Sequence, residues 1–379
     1  MNAAFKPFEQ YIQYLTEGKL DPYLDSTRRD DKITLPGLGG STDPFLLLHN
    51  LGNHPEEDRI QKLFIDGTMF VFHPDCVTAV DHVHSFLFNT SGAGKTRLSL
   101  EGLCRHWGIY LTCQAAPRAP SGSGDFAAAV AIMESSTWDE TGCNIQQNAS
   151  ATDRVFAMFL CARLFVLKRL LDLVPLQTDV KAVKAARRRW VLLQIFPPCL
   201  RSSDDVFVEI LRSIRSADID IMQDFIRTTI NDLFVKKDIL SEEGKNSMKA
   251  PLFLVIDEAH EAYQFNGRFR SDTTGDYRPI LHQIFKYFQG ISIFRGIIVV
   301  GTGLSAGMVT RTIRSVSAGT TGRLEEPVVF SDVGAFTRTG SSQDAYVRQY
   351  LTLLDNLSDQ RLMERIQYWF CGRFVHWTG

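Results

Sequence analysis

One stretch of eight residues combines glycines, a lysine and a threonine at a spacing that suits phosphate binding. It reads Asn89-Thr90-Ser91-Gly92-Ala93-Gly94-Lys95-Thr96. The stretch matches the pattern G-x-x-x-x-G-K-[ST], except that an asparagine, which adopts left-handed backbone angles more readily than most residues, replaces the first glycine. Glycines let backbone N–H groups approach a phosphate, the lysine ammonium reaches the β- and γ-phosphates, and the threonine hydroxyl ligates Mg²⁺. The alternative is a flexible turn followed by a solvated lysine.

A pair of acidic residues ends an unbroken apolar run at Pro251 to Asp257. Such a run is typical of a central parallel strand, and ligands bind at the carboxyl edge of parallel sheets. Beside a phosphate loop, Asp257 would bind Mg²⁺ directly or through water, and Glu258 would polarise the water that attacks the γ-phosphate. Acidic residues after a strand are also common helix caps.

A second apolar run, Ile297 to Val300, precedes Gly301-Thr302-Gly303. We predict that Thr302 is a sensor that orients the catalytic water from a strand next to the acidic one. The alternative is a turn whose hydroxyl is satisfied locally. Arginines that could neutralise transition-state charge follow this strand, and we favour the last of them: Arg311, Arg314, Arg323 and Arg373.

These residues must be positioned by a sheet and a helix. His82 to Phe88 has the pattern of a strand, residues from Gly94 to about Trp107 have helical spacing, and Ile109 to Cys113 is again strand-like. Strand, loop, helix and strand follow one another as a phosphate loop requires. We therefore predict an α/β fold with a central, mainly parallel sheet, of the P-loop NTPase class.

The chain divides into three predicted regions. Residues 1–80 form an adapter with a helix at Phe8 to Leu15 and a strand at Phe64 to Phe72, and residues 81–340 form the NTPase core. A helical insertion at about 151–240 follows a polar connection at Ser135 to Thr152. Residues 341–379 form a helical segment at Asp344 to Phe370. Three helices are predicted in the insertion: Ala151 to Leu173, Val180 to Phe196 and Val206 to Val235.

Composition excludes several classes of protein. With 41 Lys plus Arg against 43 Asp plus Glu, the chain has no global basic field for nucleic acid, and the basic run Lys181 to Arg189 is typical of a solvated helix face. Seven scattered cysteines without a C-x-x-C pair favour a reduced intracellular protein, in the cytoplasm or nucleus, without a zinc site. We expect no signal peptide, since Met1 to Leu15 has no continuous apolar region. We expect no membrane span, since charged residues interrupt the apolar stretch Val155 to Val174.

Asp257-Glu258-Ala259-His260 also spells the motif of a helicase class. A helicase needs a second RecA-like domain, and only about a third of the chain follows Glu258. We therefore interpret His260 as a residue of the first helical turn or as a coupling residue beside the site.

Five segments together resemble the NTPase module of Crinkler and retrotransposon-hot-spot type proteins: Phe88 to Arg97, Trp107 to Tyr110, Gly122 to Phe126, Asp257 to His260 and Gly301 to Ser305. The resemblance runs from about Phe86 to the end of the chain. It implies an ASCE/AAA-like and STAND-like ATPase with ATP and Mg²⁺ as cofactors, with Arg97 beside the nucleotide. In that family an effector follows a helical lid, so we expect the lid after Gly372 to be truncated.

The leading hypothesis is an ATPase used as a conformational switch in an effector or conflict-type protein. The alternative is a nucleotide-binding scaffold with little turnover that tethers a protein partner. Self-association is left open, and a nucleic-acid-stimulated motor is a third, weaker hypothesis.

Overall fold

A computed structural model describes residues 2–12, 27–29, 32–34, 51–52, 57–66, 84–89, 93–114, 122–134, 145–173, 180–197, 205–235, 252–264, 269–270, 277–317, 328–331 and 356–370. The strands are β1 (Thr27–Arg29), β2 (Lys32–Thr34), β3 (His84–Phe88), β4 (Gly108–Thr112), β5 (Leu252–Asp257), β6 (Phe269–Arg270), β7 (Tyr277–Arg278), β8 (Phe294–Gly301) and β9 (Val328–Phe330). The helices are α1 (Asn2–Ile12), α2 (Glu57–Phe64), α3 (Lys95–Arg105), α4 (Asp125–Glu134), α5 (Ile145–Leu173), α6 (Val180–Ile195), α7 (Val206–Ser213), α8 (Ile219–Val235), α9 (Ala259–Gln264), α10 (Ile280–Gln289), α11 (Ala306–Ser317) and α12 (Leu357–Phe370).

Five strands form one sheet in the order β4-β5-β8-β3-β9, and every neighbouring pair is parallel. The predicted α/β class with a central parallel sheet is therefore confirmed. Strand β8 lies between β3, which precedes the predicted phosphate loop, and β5, which ends at the acidic pair. Because all five strands point the same way, their carboxyl ends meet at one edge of the sheet.

The central strands form because their residues are apolar on both faces. All six residues of β5 are buried, and so are seven of the eight residues of β8. Such continuous Val- and Ile-rich runs are stable only where helices cover both faces of a sheet. Helix α3 packs beneath the sheet, and Gly102 lies so close to the Phe64 ring that an added Cβ would meet it at 1.9 Å.

The helical insertion is larger and more divided than predicted. Helix α5 begins at Ile145, so part of the predicted polar connection Ser135 to Thr152 is helical, and that part of the prediction is wrong. The segment Val206 to Val235, predicted as one helix, is two helices. Asp205 caps the start of the first, and Asp218, which accepts from Asp220 N, lies at the start of the second. Helix α4 was not predicted.

The amino-terminal region also differs from prediction. Helix α1 begins at Asn2, ahead of the predicted start at Phe8, and its Phe5 ring stacks on Phe165 of α5 with 4.3 Å between the centroids. The strand predicted from Phe64 is wrong at its start, because Phe64 ends α2, where buried apolar side chains recur at helical spacing. The rest of that predicted strand, residues 67–72, lies outside the described residues.

At the carboxyl end, α12 accounts for the second half of the helical segment predicted at Asp344 to Phe370, and residues 344–355 lie outside the described part. Among the helices that the structure describes, none is long and apolar enough to cross a membrane.

Candidate functional site

The predicted site residues come from the carboxyl edge of the sheet. Asn89 follows β3, Asp257 ends β5 and Thr302 follows β8. The first residues of α3, Lys95 and Thr96, lie at the same edge because the loop from β3 leads directly into that helix. Three residues of the predicted loop, Thr90, Ser91 and Gly92, lie outside the described residues.

Gly94 sets the direction in which α3 leaves the loop. Its φ of 93° is left-handed, which glycine adopts without the steric cost that a Cβ would bring. Its carbonyl accepts from Leu98 N and so begins the helical ladder. Ala93, which precedes it, is buried.

Asn89 is anchored at both ends of its residue. Its side-chain amide donates to the carbonyl of Ser331, just after β9, at 2.8 Å, and its own carbonyl accepts from Lys95 Nζ at 2.9 Å. Asn89 does not adopt the left-handed backbone that we expected of it. In the described part of the chain, Glu258 is the one non-glycine residue with a positive φ. Asparagine is suited to this position by its side-chain hydrogen bond, which glycine could not make.

Asp257 is the centre of the site. Its Oδ2 accepts from Thr96 Oγ1 at 2.8 Å and from Tyr110 Oη at 2.7 Å, while its Oδ1 accepts from Glu258 N at 2.8 Å. Thr96 was expected beside Asp257 as a second magnesium ligand, whereas Tyr110, on the neighbouring strand β4, was not predicted. The carboxylate is therefore fixed by three donors and directed at the start of α3.

Burial shifts the proton affinities of the central pair in opposite directions. Burial raises the pKa of Asp257, and the hydrogen bonds from Tyr110 and Thr96 offset part of that rise. Burial lowers the pKa of Lys95, and the nearby Asp257 and Glu258 offset part of that fall. Each group thus depends on the other for its charge, and a bound polyanion would add further support for the ammonium.

Glu258 is placed differently from Asp257. Its φ of 52° turns the chain between β5 and α9, a conformation that costs roughly 1–2 kcal/mol for a residue with a Cβ. Its side chain is 31% exposed, and Oε2 lies 3.2 Å from Nδ1 of His260. Burial and the adjacent Asp257 raise the pKa of Glu258. The more accessible carboxylate is thus the one that can meet a water molecule.

His260 contacts two glutamates, since Nε2 also lies 3.5 Å from Oε1 of Glu261. The predicted interpretation of His260 as a first-turn residue beside the site agrees with its position in α9. Its contact with Glu258 had no signal in the sequence, because it depends on the left-handed turn at that glutamate.

Thr302 is half-buried at the end of β8. The strand end packs closely against α9: a Cβ added at Gly301 would lie 3.1 Å from Leu304 Cδ1 and 3.4 Å from His260 N. Gly303, with a φ of 78°, then turns the chain away. Thr302 therefore follows the strand between β3 and β5, next to the acidic pair, and its role as a sensor stays a prediction.

Only some of the candidate arginines lie among the described residues. Arg97 forms an i,i+4 ion pair with Glu101, whose other oxygen accepts from Gly52 N at 2.8 Å, and contact of Arg97 with nucleotide stays a prediction. Arg311 lies exposed on α11, and Arg314 belongs to the same helix. Arg323 and the favoured Arg373 lie outside the described residues.

The segment Gly122 to Phe126 forms a buried polar junction behind the site. Ser123 Oγ and Gly124 N both donate to Asp205 Oδ2 at 2.8 Å, and Asp125 pairs with Arg163 at 2.7 Å, both side chains being fully buried. These contacts join α4, α5 and α7. The residue types of the segment are therefore explained by structural hydrogen bonds and an ion pair.

In the described ranges, no group of three or more His, Cys, Asp or Glu side chains lies together as a metal site. The metal ligands predicted here are the carboxylate of Asp257 and the hydroxyl of Thr96. These oxygen ligands fit Mg²⁺, which commonly takes one or two protein ligands together with substrate phosphates and water.

The chain matches no protein family, no curated protein and no solved structure in the comparisons made with it.

Proposed function

We propose that this chain is a P-loop NTPase of the ASCE/AAA-like arrangement that binds ATP with Mg²⁺ and hydrolyses it. One observation supports the proposal above all others: the hydroxyl of Thr96, which follows the phosphate-loop lysine, donates to the carboxylate that ends β5. Two motifs far apart in the sequence thus form one constellation. The position of β8 between β3 and β5 agrees with the arrangement proposed.

In this proposal the start of α3 binds the phosphates. Backbone N–H groups of the loop and the helix N-terminus favour anions, and Lys95 Nζ would exchange its present acceptor, the Asn89 carbonyl, for phosphate oxygens. Thr96 and Asp257 would hold Mg²⁺, which neutralises charge on the β- and γ-phosphates when bound. The adenine contacts stay a prediction, since variable loops usually read the base.

Glu258 is the proposed general base. Its half-buried carboxylate lies beside the fully buried Asp257, and its raised pKa brings it closer to that of a base that works near neutrality. Thr302, on the strand between, would orient the attacking water. The alternative function is a nucleotide-binding scaffold without turnover, and the approach of His260 Nδ1 to Glu258 Oε2 favours it because it places an imidazole, where a water molecule would be needed, beside one carboxylate oxygen.

The wider role rests on the resemblance alone. A switch in a Crinkler-type effector or conflict protein, a protein partner and self-association all stay predictions.

Binding of a fluorescent ATP analogue to the purified chain, with and without Mg²⁺, tests the proposal. Phosphate release is followed in parallel, and unlabelled ATP and GTP compete for the site. We expect Mg²⁺-dependent binding that Lys95→Ala abolishes. The matched control is Lys168→Ala, because Lys168 pairs with Asp172 of its own helix α5 and with Asp232 of α8 and contacts none of the proposed site residues that the structure describes.

Three results distinguish the hypotheses. Binding with turnover supports the ATPase, and binding without turnover supports the scaffold. Absence of nucleotide binding by the folded wild-type chain would overturn both.

A further inference from the structure

Asp257 receives a hydrogen bond from a residue that no phosphate-binding motif includes. Tyr110 Oη lies 2.7 Å from Asp257 Oδ2, the oxygen that also accepts from Thr96. Tyr110 and Asp257 are each 2% exposed. A buried phenol beside a buried carboxylate donates its proton and accepts nothing from it, so the contact favours the charged carboxylate in this orientation.

The register of the sheet makes this contact possible. Tyr110 pairs with Val255, and Thr112 pairs with Asp257, so the two partners are diagonal neighbours on one face of β4 and β5. Diagonal neighbours are about 7–8 Å apart at Cα, a distance that an aromatic side chain spans. A shorter hydroxyl side chain at position 110 would fall short of the carboxylate.

The tyrosine itself is held in place from two sides. Its backbone N, on the side of β4 that faces away from β5, donates to Gln194 Oε1 of α6 at 2.8 Å. Its ring lies against Gly122, where an added Cβ would come 3.3 Å from Cε1 of the ring and 2.5 Å from Thr112 Cγ2. Gly122 has a φ of 138°, which favours glycine. The hydroxyl is therefore presented to Asp257 by a rigid surround.

We propose that Tyr110 is a positioning residue for the divalent cation, which acts by fixing the carboxylate of Asp257 in alignment with Thr96. This inference rests on the proposed function of the site. Without the phenol, Asp257 Oδ2 keeps one donor and the carboxylate gains freedom to rotate. Mg²⁺ demands near-ideal octahedral geometry, whereas Ca²⁺ accepts flexible coordination, so the loss falls mainly on Mg²⁺.

Tyr110→Phe removes the hydroxyl and keeps the buried ring. In EDTA, the affinity for the fluorescent ATP analogue should stay within about twofold of wild type. The lost hydroxyl contacts Asp257 and not the nucleotide, so its removal should affect only the binding that depends on the cation. The MgCl₂ concentration that half-saturates the Mg²⁺-dependent binding should rise roughly tenfold, as expected for loss of a hydrogen bond to a charged group. With CaCl₂ the shift should be smaller.

Tyr287→Phe is the matched control. Tyr287 lies on α10 against Phe288, which packs on Phe294 at the beginning of β8, the opposite end of the sheet from the site. It should leave both cation titrations unchanged. Melting temperatures of both variants verify that each is folded.

Two outcomes overturn the inference and are distinct from failure of the proposed function. One is a Mg²⁺ titration of Tyr110→Phe that coincides with the wild type while the wild type binds nucleotide. The other is an equal loss of affinity in EDTA, Mg²⁺ and Ca²⁺, which would assign Tyr110 a structural role only. If the wild type itself binds no nucleotide, the proposed function fails first.

Discussion

The hydroxyl of Thr96 lies 2.8 Å from the carboxylate of Asp257, although 161 residues separate them in the sequence. Thr96 lies in the first turn of α3, and Asp257 ends β5. Helix α3 follows β3, which belongs to the same parallel sheet as β5, so the sheet fixes the relative position of the two residues. Both groups are satisfied in this contact before any ligand binds. In the proposed site, a cation that binds here would meet oxygen ligands that are already oriented, which would lower the cost of ordering them.

Thr96→Ala should weaken Mg²⁺-dependent nucleotide binding about tenfold or more, because it removes one oxygen ligand and leaves Asp257 short of a donor. Thr96→Ser retains the hydroxyl and should stay within about threefold of wild type. Isothermal titration with ATP at fixed MgCl₂ measures both. Equal affinities of the alanine and serine variants would remove Thr96 from the cation site.

Glu258→Gln should bind ATP with wild-type affinity and hydrolyse it at least about a hundredfold more slowly, the range expected on losing a general base. Glu261→Gln is the control, since Glu261 is a neighbouring, exposed glutamate that also contacts His260. Phosphate release under saturating ATP is the measurement. If the two variants turn over at the same rate, Glu258 is not the base.

The central elements could be predicted because their signals are local. The strands around the motifs are short apolar runs, and the glycines and the lysine of the loop lie within four consecutive residues, Gly92 to Lys95. The sequence analysis expected the strand before Thr302 to lie next to the acidic strand, and the pairing of β8 with β5 confirms this. The pairing of β8 with β3 on its other side and the contact of Tyr110 with Asp257 depend on distant segments. No pattern within either segment specifies that pairing.

The missed start of α5 has a different cause. Asn148 and Thr152 made the segment look like a polar loop, yet both side chains are fully buried in the helix. Thr152 Oγ1 donates back to the Asn148 carbonyl at 2.7 Å, which satisfies the hydroxyl without leaving the helix. Composition alone does not distinguish such inward polar residues from a solvated connection.

Stability should fall in mild acid because of His106. Burial, with Arg187, Arg295 and Arg105 nearby, lowers the pKa of His106 to about 3. The folded chain therefore keeps it neutral while the unfolded chain protonates it below about 6.5, so its contribution is present above that pH and is lost as the pH falls towards 3.

The size of this effect is measurable by urea unfolding at several pH values. The free energy of unfolding of the wild type should fall, relative to that of His106→Gln, by about 1.4 kcal/mol for each pH unit below about 6. Stability curves that run parallel between pH 7 and 5 would contradict the lowered pKa.

Breaking the buried ion pair behind the site should destabilise the fold strongly. Arg163 pairs with Asp125 at 2.7 Å, and its guanidinium lies 3.9 Å from the centre of the Phe207 ring. Arg163→Met leaves Asp125 charged and buried, which we expect to cost about 3–5 kcal/mol.

A double-mutant cycle separates the interaction energy of the Asp125–Arg163 ion pair from the contribution of general packing. Asp125→Asn combined with Arg163→Met should cost less than the sum of the two single variants, since the uncompensated charge is gone. The exposed pair of Lys168 and Asp172 is the comparison, and Lys168→Met should change stability by no more than about 0.5 kcal/mol. If Arg163→Met is as mild as Lys168→Met in chemical denaturation, the junction is not held by charge. Arg163 Nη1 also donates to Gln194 Oε1, which accepts from Tyr110 N, so the same variants test one of the contacts that hold Gln194 beside Tyr110.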